Sequence, residues 1–160
     1  MIYPDLPTFR QAYSKATKEA LERNEIVFLA TTYDSFQRVY DSLKDIGGVS
    51  ITNEIKEGNL TILDSVKVYQ IDTFGALKFA ESLLMRSARN EKAGVFNISD
   101  LGSFFLAERI PQLLEYERGI PKKMMDLVFK AICAYHRGDF DHLSREQQEM
   151  IISGHNQVIV

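Results

Sequence analysis

The segment Leu127–Tyr135, LVFKAICAY, is the stretch that determines the fold class. It is an apolar run that predicts a strand, and the continuous run of this kind at Ile26–Ala30 suits a strand buried on both faces of a sheet. Two earlier runs have the same character, Ile26–Ala30 (IVFLA) and Ala93–Ile98 (AGVFNI). Helical patterns separate the three runs, and strands that alternate with helices predict right-handed crossovers and a mainly parallel sheet. The sequence therefore predicts a three-layer α/β/α fold.

The remaining elements follow from apolar spacing and from residues that start or stop helices. The predicted helices are Thr8–Arg23, capped by Thr8; Ser35–Asp45, capped by Asp34 and Gln37; Thr73–Asn90; Ser103–Arg118, broken or restarted at Pro111; and Arg145–Ser153, capped by Ser144 and Gln147. The predicted short strands are Val49–Thr52, Leu60–Leu63 and Gln157–Val160, and Val66–Ile71 is either extended or a loop. The inward side of the longest helix is expected to carry Leu77, Ala80, Leu84 and Ala88.

Composition and charge exclude several classes of protein. A chain of 160 residues is expected to form one domain, residues 1–160. Its net charge of −3 gives no electrostatic basis for binding nucleic acid or an anionic membrane. The apolar runs are too short for a membrane span, and the N-terminal MIYPDLPTFR lacks the apolar core of a signal peptide. With the single cysteine Cys133 there is no intrachain disulfide, so we expect a cytoplasmic location.

The predicted sheet also indicates where a binding site should lie. In open α/β sheets, ligands bind beyond the carboxyl ends of the strands. Polar or glycine-containing segments follow three of the predicted strands there: Thr31–Asp34, Ser99–Gly102 and Tyr135–Gly138. We therefore expect a site at this edge.

Three short motifs near the C-terminus resemble those of a known family. They are Leu114-Glu115-Tyr116-Glu117, Ile132-Cys133-Ala134-Tyr135 and Gly154-His155-Asn156-Gln157-Val158-Ile159. Their order and spacing resemble the methanogen/methylotroph sensory domain, MEDS, although Asn156 stands where that family usually has proline. The resemblance implies a RecA/KaiC-like fold without a P-loop and a sensory rather than catalytic role.

Phosphate binding is disfavoured by the turn after the first buried strand. A P-loop needs glycines that let backbone N–H groups surround the phosphates, together with a lysine. The corresponding segment, Thr31–Phe36, has neither, and Asp34 would repel a phosphate. Asp100 occupies a strand end as a Walker B acid does, but without a P-loop it is more simply the N-cap of the next helix.

Neither a metal site nor a catalytic group is assigned from the sequence, and no cofactor is expected. The segment HRGDFDH contains His136, Asp139, Asp141 and His142, which could suit a metal, but acidic loops with glycine are ordinary turns. Cys133 lies inside an apolar strand, where cysteine usually packs as a small hydrophobe. Strand alternation places Cys133 and Tyr135 on one face, and Ile132, Ala134 and His136 on the other.

The candidate ligand-binding residues combine the family motifs with the strand ends. They are Asp100, Tyr116, Glu117, Tyr135, His136 and His155. His155 is the leading candidate for ligand or proton sensing, and the alternative is that its imidazole caps the preceding helix. Tyr116 is expected to pack beneath the pocket. Glu117 is expected to orient a polar partner such as Arg118, Arg86 or Arg89.

These observations and the resemblance lead to one functional hypothesis and two alternatives. The hypothesis is a non-catalytic sensory domain that binds a small, mostly apolar metabolite. Ligand would shift the populations of the loops 99–105 and 136–143 and so signal to a separate kinase or transcription regulator. The first alternative is an interaction module without a small ligand, for example a homo-oligomer. The second is a minor hydrolase that uses the segment 136–142.

Overall fold

The computed structural model describes residues 1–44, 47–67, 73–124 and 128–159. Its strands are β1 (Ile2–Tyr3), β2 (Glu25–Thr31), β3 (Leu60–Asp64), β4 (Gly94–Asp100) and β5 (Phe129–His136). Its helices are α1 (Leu6–Glu22), α2 (Phe36–Lys44), α3 (Ile51–Glu57), α4 (Thr73–Arg89), α5 (Gly102–Leu106), α6 (Ile110–Met124), α7 (Arg137–Phe140) and α8 (Arg145–Ser153).

The five strands form a parallel sheet in the order β1-β5-β4-β2-β3. All residues of β2, at the centre of the three-strand block β4-β2-β3, are buried, as its uninterrupted apolar sequence predicts. The three-layer α/β/α prediction with a parallel sheet is confirmed. The predicted strands at Ile26–Ala30, Leu60–Leu63 and Ala93–Ile98 are present with shifted ends.

Alternation along the strands divides the core between the two faces of the sheet. On one face, α1, α2 and α3 cover the cluster that includes Tyr3, Ile98 and Ala134. On the other face, α5 to α8 cover a cluster that includes Cys133 and Tyr135, and α4 covers a third cluster over β2 and the start of β4. The predicted separation of Cys133 and Tyr135 from Ala134 is therefore confirmed.

Two helix starts differ from the predictions because nearby side chains make other contacts. Asp5, rather than Thr8, caps α1: its carboxylate accepts the Thr8 N–H at 2.8 Å. At α2 the Ser35 hydroxyl accepts the Arg38 N–H at 3.3 Å. Asp34 instead forms a salt bridge with Arg10. The predicted capping box of α2 is therefore wrong.

Three further predictions are corrected. The segment predicted as the strand Val49–Thr52 leads into α3, where Ile51 and Ile55 lie four residues apart and Gly58 ends the helix in the left-handed conformation. Residues 157–159 form no strand, although the Ile159 carbonyl accepts the Ile2 N–H at 2.8 Å. Among the α4 residues whose side chains are described, Leu83 and Ser87 are buried, the predicted Ala80 and Leu84 are partly buried, and the predicted Ala88 is exposed.

Other predictions agree, or fall outside the described residues. Pro111 lies in the first turn of α6, so it restarts the helix. Ser144 and Gln147 form the predicted capping box of α8. The strand predicted over Leu127–Tyr135 is present as β5. Leu127 itself, Asp45, Val160 and most of Val66–Ile71 lie outside the described residues, as does the side chain of Leu77.

In the described part of the chain, none of the helices combines the length and the apolar character that a membrane crossing needs.

Candidate functional site

Residues from all three C-terminal motifs meet on the sheet face that α6 and α8 cover. Glu117 comes from α6, Cys133 and Tyr135 alternate along β5, and His155 follows the end of α8. One ligand-capable atom from each of Glu117, Cys133 and His155 lies within 4.8 Å of the others. Segments up to 38 positions apart in the sequence, from Glu117 to His155, thus converge at one point beneath the carboxyl end of β5.

Directional contacts hold the cluster. The Tyr135 hydroxyl donates to Glu117 Oε1 at 2.5 Å. His155 Nε2 lies 3.5 Å from Glu117 Oε2, and His155 Nδ1 lies 2.8 Å from the Ile151 carbonyl oxygen. The imidazole therefore contacts the last turn of α8 with one nitrogen, as the alternative interpretation expects, and faces an acid with the other.

Burial controls the protonation of this cluster. The Glu117 side chain is 4% exposed, and burial raises its pKa above the ordinary value. Burial and the Glu117 carboxylate together raise the pKa of Cys133 and of Tyr135. The site therefore favours the neutral thiol and the neutral phenol.

A small pocket opens beside the cluster. Met1, Ile2, Phe140, Ile151, Ile152 and Val158 form its apolar walls, and Cys133, Tyr135, His155 and Gln157 supply polar groups. Its volume is about 20 Å³ for the centres of water-sized atoms, and roughly 10–15 Å³ on that measure holds one water molecule. The pocket is therefore lined mainly by apolar side chains, with a few polar groups among them.

Two neighbouring predictions are resolved by these contacts. Tyr116 is buried in the same apolar cluster, and its ring lies 5.9 Å from that of Phe104. This agrees with its expected packing role. The arginine partners proposed for Glu117 are wrong: its contacts are Tyr135 and His155, while Arg86 donates to the Glu57 carbonyl.

Asp100 and His136, the other two predicted site residues, lie apart from this cluster. His136 is on the α1 face, where its ring contacts those of Tyr3 and Tyr33. Asp100 is fully buried, and its carboxylate accepts the Thr32 N–H at 3.0 Å and the Gly102 N–H at 3.1 Å. The six predicted residues therefore form two groups instead of one pocket.

Asp100 joins the carboxyl ends of β2 and β4 rather than acting as a helix N-cap. The residue at that cap position is Leu101. The Thr32 hydroxyl donates to the Asp100 carbonyl at 3.1 Å and accepts the Ser103 N–H at 3.0 Å. Burial raises the pKa of Asp100 to about 6 even though two N–H groups stabilise its anion.

The HRGDFDH segment does not assemble a metal site or a catalytic pair among the described residues. His136 Nδ1 accepts the Gly138 N–H at 3.2 Å, and His142 Nδ1 lies 2.5 Å from the Gly138 carbonyl oxygen. Asp139 accepts the Tyr33 hydroxyl at 2.6 Å. Within the described part of the chain, the histidine that lies within 4 Å of a carboxylate is His155, which faces Glu117 and is outside the HRGDFDH segment.

Sequence reasoning missed Cys133 as a member of the polar cluster. It is buried in the apolar core, as expected. Its sulfur nevertheless lies beside Glu117 and His155. The second family motif contains Cys133 and could have indicated a role in the site. The residue was instead interpreted as a small hydrophobe because it lies in an apolar strand.

The chain was compared with models of protein families. The model described as "MEthanogen/methylotroph, DcmR Sensory domain" matches residues 1–155. That range contains Glu117, Cys133 and His155, which form the polar cluster, and Tyr135, which contacts Glu117. The chain therefore belongs to the MEDS family of sensory domains.

Proposed function

We propose that this sensory domain is non-catalytic and binds a small, mostly apolar metabolite in the pocket beside Glu117 and His155. The observation that carries the proposal is that residues of two family motifs, Cys133 and Tyr135 from one and His155, Gln157 and Val158 from the other, line one chamber. Its walls are mostly aliphatic and aromatic, and they include a few polar groups. Pockets of this composition bind apolar ligands and use a few polar groups to orient them.

The C-terminal segment is the part that would respond. The pocket has room for about one water molecule, so a larger ligand must displace part of its wall. The part of the wall formed by Gln157 and Val158 lies in the segment after α8 that is neither helix nor strand. The Ile2–Ile159 hydrogen bond, at 2.8 Å, ties this segment to β1. Ligand would favour an arrangement in which the segment moves outward.

The signal would pass to a partner through that movement. Phe140 links the pocket to the segment 136–143, whereas Leu101 and Phe104 of the segment 99–105 pack in the same apolar cluster. A ligand that repositions the C-terminal segment would therefore also change the populations of the arrangements of the segments 99–105 and 136–143. A separate kinase or transcription regulator would bind either the ligand-bound or the ligand-free arrangement.

A thermal-shift screen tests the proposal. The panel comprises short-chain alcohols, thiols, thioethers and haloalkanes, and ligand binding should raise the melting temperature in a concentration-dependent way. Ile152, which lines the pocket and is 40% exposed, is changed to Trp to fill the chamber. Met85, 58% exposed on α4, is changed to Trp as the matched control.

We expect a shift in the wild type and in Met85→Trp, and its loss in Ile152→Trp. A shift that survives in Ile152→Trp would place the ligand elsewhere. If no compound shifts the wild type and the chain forms a defined oligomer, the interaction module becomes the better interpretation.

A further inference from the structure

The Glu117–Cys133–His155 cluster contains three kinds of metal ligand in one place. It offers a carboxylate oxygen, a thiol sulfur and an imidazole nitrogen, all within 4.8 Å of one another. Two of the three residues are buried and the third is partly buried. Because each residue comes from a different element, this cluster is not the local grouping of charges that loops often show.

We propose that Glu117 Oε2, Cys133 Sγ and His155 Nε2 bind one transition-metal ion of the zinc type, with a fourth coordination position directed toward the pocket. Three protein ligands plus one exchangeable position is the arrangement of zinc sites that act on a ligand, whereas structural zinc sites are closed by four protein ligands.

The spacing suits such an ion. Zinc–nitrogen and zinc–oxygen bonds of about 2.0–2.2 Å at a tetrahedral angle put the two ligand atoms roughly 3.3–3.5 Å apart. Glu117 Oε2 and His155 Nε2 are 3.5 Å apart. The sulfur of Cys133 lies within 4.8 Å of one ligand atom of each of the other two residues, so an approach of about 1 Å completes the geometry.

The surrounding hydrogen bonds prepare each ligand. His155 Nδ1 contacts the Ile151 carbonyl at 2.8 Å, which places the proton on Nδ1 and leaves Nε2 free to coordinate. The Tyr135 hydroxyl holds Glu117 Oε1 at 2.5 Å and leaves Oε2 facing the imidazole. Contacts of this kind fix the orientation and the tautomer of metal ligands.

The ligand set can compensate the charge of a dication. Metal binding forms a metal–sulfur bond and releases the Cys133 thiol proton to solvent. One thiolate, one carboxylate and one neutral imidazole then match the charge of a dication, and the N-terminal ammonium, which donates to the Cys133 carbonyl at 2.7 Å, lies near the same acids. Without an ion, the Glu117 carboxyl group interacts with the Tyr135 hydroxyl, the Cys133 thiol, the N-terminal ammonium and, at 3.5 Å, His155.

Cys133 and His155 both line the pocket, and the pocket has room for about one water molecule. A water there would fill the fourth position and exchange for a donor atom of an incoming ligand. This role of the fourth position rests on the proposed function, whereas metal binding is measured without any organic ligand, so the two proposals can fail separately.

Cobalt(II) titration of reduced, chelator-treated protein tests the site. We expect one equivalent to bind, with a thiolate-to-cobalt charge-transfer band in the near ultraviolet and intense visible bands of four-coordinate cobalt. Zinc(II) should abolish these bands by displacement. A wild-type protein that binds cobalt without the thiolate band, or that binds none, overturns the proposal whatever the variants show.

Two matched pairs of variants locate the ion. His142 Nδ1 also contacts a carbonyl four residues earlier, as His155 Nδ1 does, but lies outside the cluster. Glu115 is exposed on the same helix as Glu117. His155→Gln and Glu117→Gln should weaken cobalt binding about tenfold or more, whereas His142→Gln and Glu115→Gln should leave it unchanged. Equal affinities within each pair would overturn the assignment, and circular dichroism confirms that each variant is folded.

Discussion

Glu117 is a buried carboxylate whose shortest contact is with a neutral phenol. The Tyr135 hydroxyl donates to Oε1 at 2.5 Å, and both side chains lie in the apolar region between β5 and α6. A buried acceptor that loses its donor costs its full desolvation penalty, which is larger than the net contribution of an average hydrogen bond. The Tyr135 hydroxyl therefore contributes to the free energy of unfolding in addition to the packing of the ring.

Replacement of Tyr135 by Phe tests this contribution. We expect Tyr135→Phe to lower the free energy of unfolding by about 1–3 kcal/mol, because Glu117 Oε1 loses its donor while the ring remains. Urea denaturation measures the change. Tyr40→Phe is the control, since that hydroxyl contacts Thr52 at an exposed position and should change stability by less than about 0.5 kcal/mol. Equal effects in the two variants would show that the buried contact is unimportant.

Asp100 makes stability depend on pH in the direction opposite to that of a salt-bridged acid. Its pKa rises from 3.8 to about 6 because of burial, so between these values the folded protein binds more protons than the unfolded chain. The contribution of Asp100 to the free energy of unfolding therefore decreases as pH rises through this window. At about 1.4 kcal/mol per pH unit the decrease amounts to about 3 kcal/mol.

Comparison with Asp100→Asn isolates this effect. We expect the stability of the wild type relative to the variant to fall as the pH increases from about 4 to about 7, because only the wild type titrates at this position. The neighbouring phenols of Tyr3 and Tyr33 have raised pKa values and stay neutral throughout. Urea denaturation at several pH values provides the measurement, with the exposed Asp64→Asn as control. Parallel pH profiles of wild type and Asp100→Asn would contradict the raised pKa.

At the scale of elements, α8 positions His155 and part of the pocket wall. Ser144 and Gln147 form a reciprocal capping box at its start, and Ile151 and Ile152 carry the wall. The capping box was predictable because it depends on two residues three positions apart. The helix α3 was not, because the run from Val49 to Thr52 has the composition of a short strand, and the helical pairing of Ile51 with Ile55 became decisive only in the structure.

Removal of the α8 cap should weaken the domain measurably. We expect Ser144→Ala to lower the free energy of unfolding by about 1 kcal/mol, because the Gln147 N–H loses its acceptor. Ser153→Ala is the matched control, since the Ser153 hydroxyl donates to Met150 at the other end of the helix, where no cap depends on it. Thermal denaturation of both variants gives the comparison, and an unchanged Ser144→Ala would contradict the importance of the capping box.

At the scale of the whole molecule, the two faces of the sheet separate the predicted site residues. Strand alternation correctly placed Cys133 and Tyr135 together. It could not show that Glu117 and His155 would join them, because that depends on how α6 and α8 pack across β5. β1 was missed because Ile2–Tyr3 is too short for a periodic pattern and is recognised only by its pairing with β5.

Native mass spectrometry of freshly purified protein, compared with its denatured mass, tests the sensory pocket most directly. We expect the native wild type, and the Met85→Trp control, to retain a small organic molecule that the denatured chain lacks. Ile152→Trp, which fills the chamber, should not retain it. An organic adduct retained equally by Ile152→Trp, or a wild type that stays free of organic adducts even after incubation with cell extract, would contradict ligand sensing at this pocket.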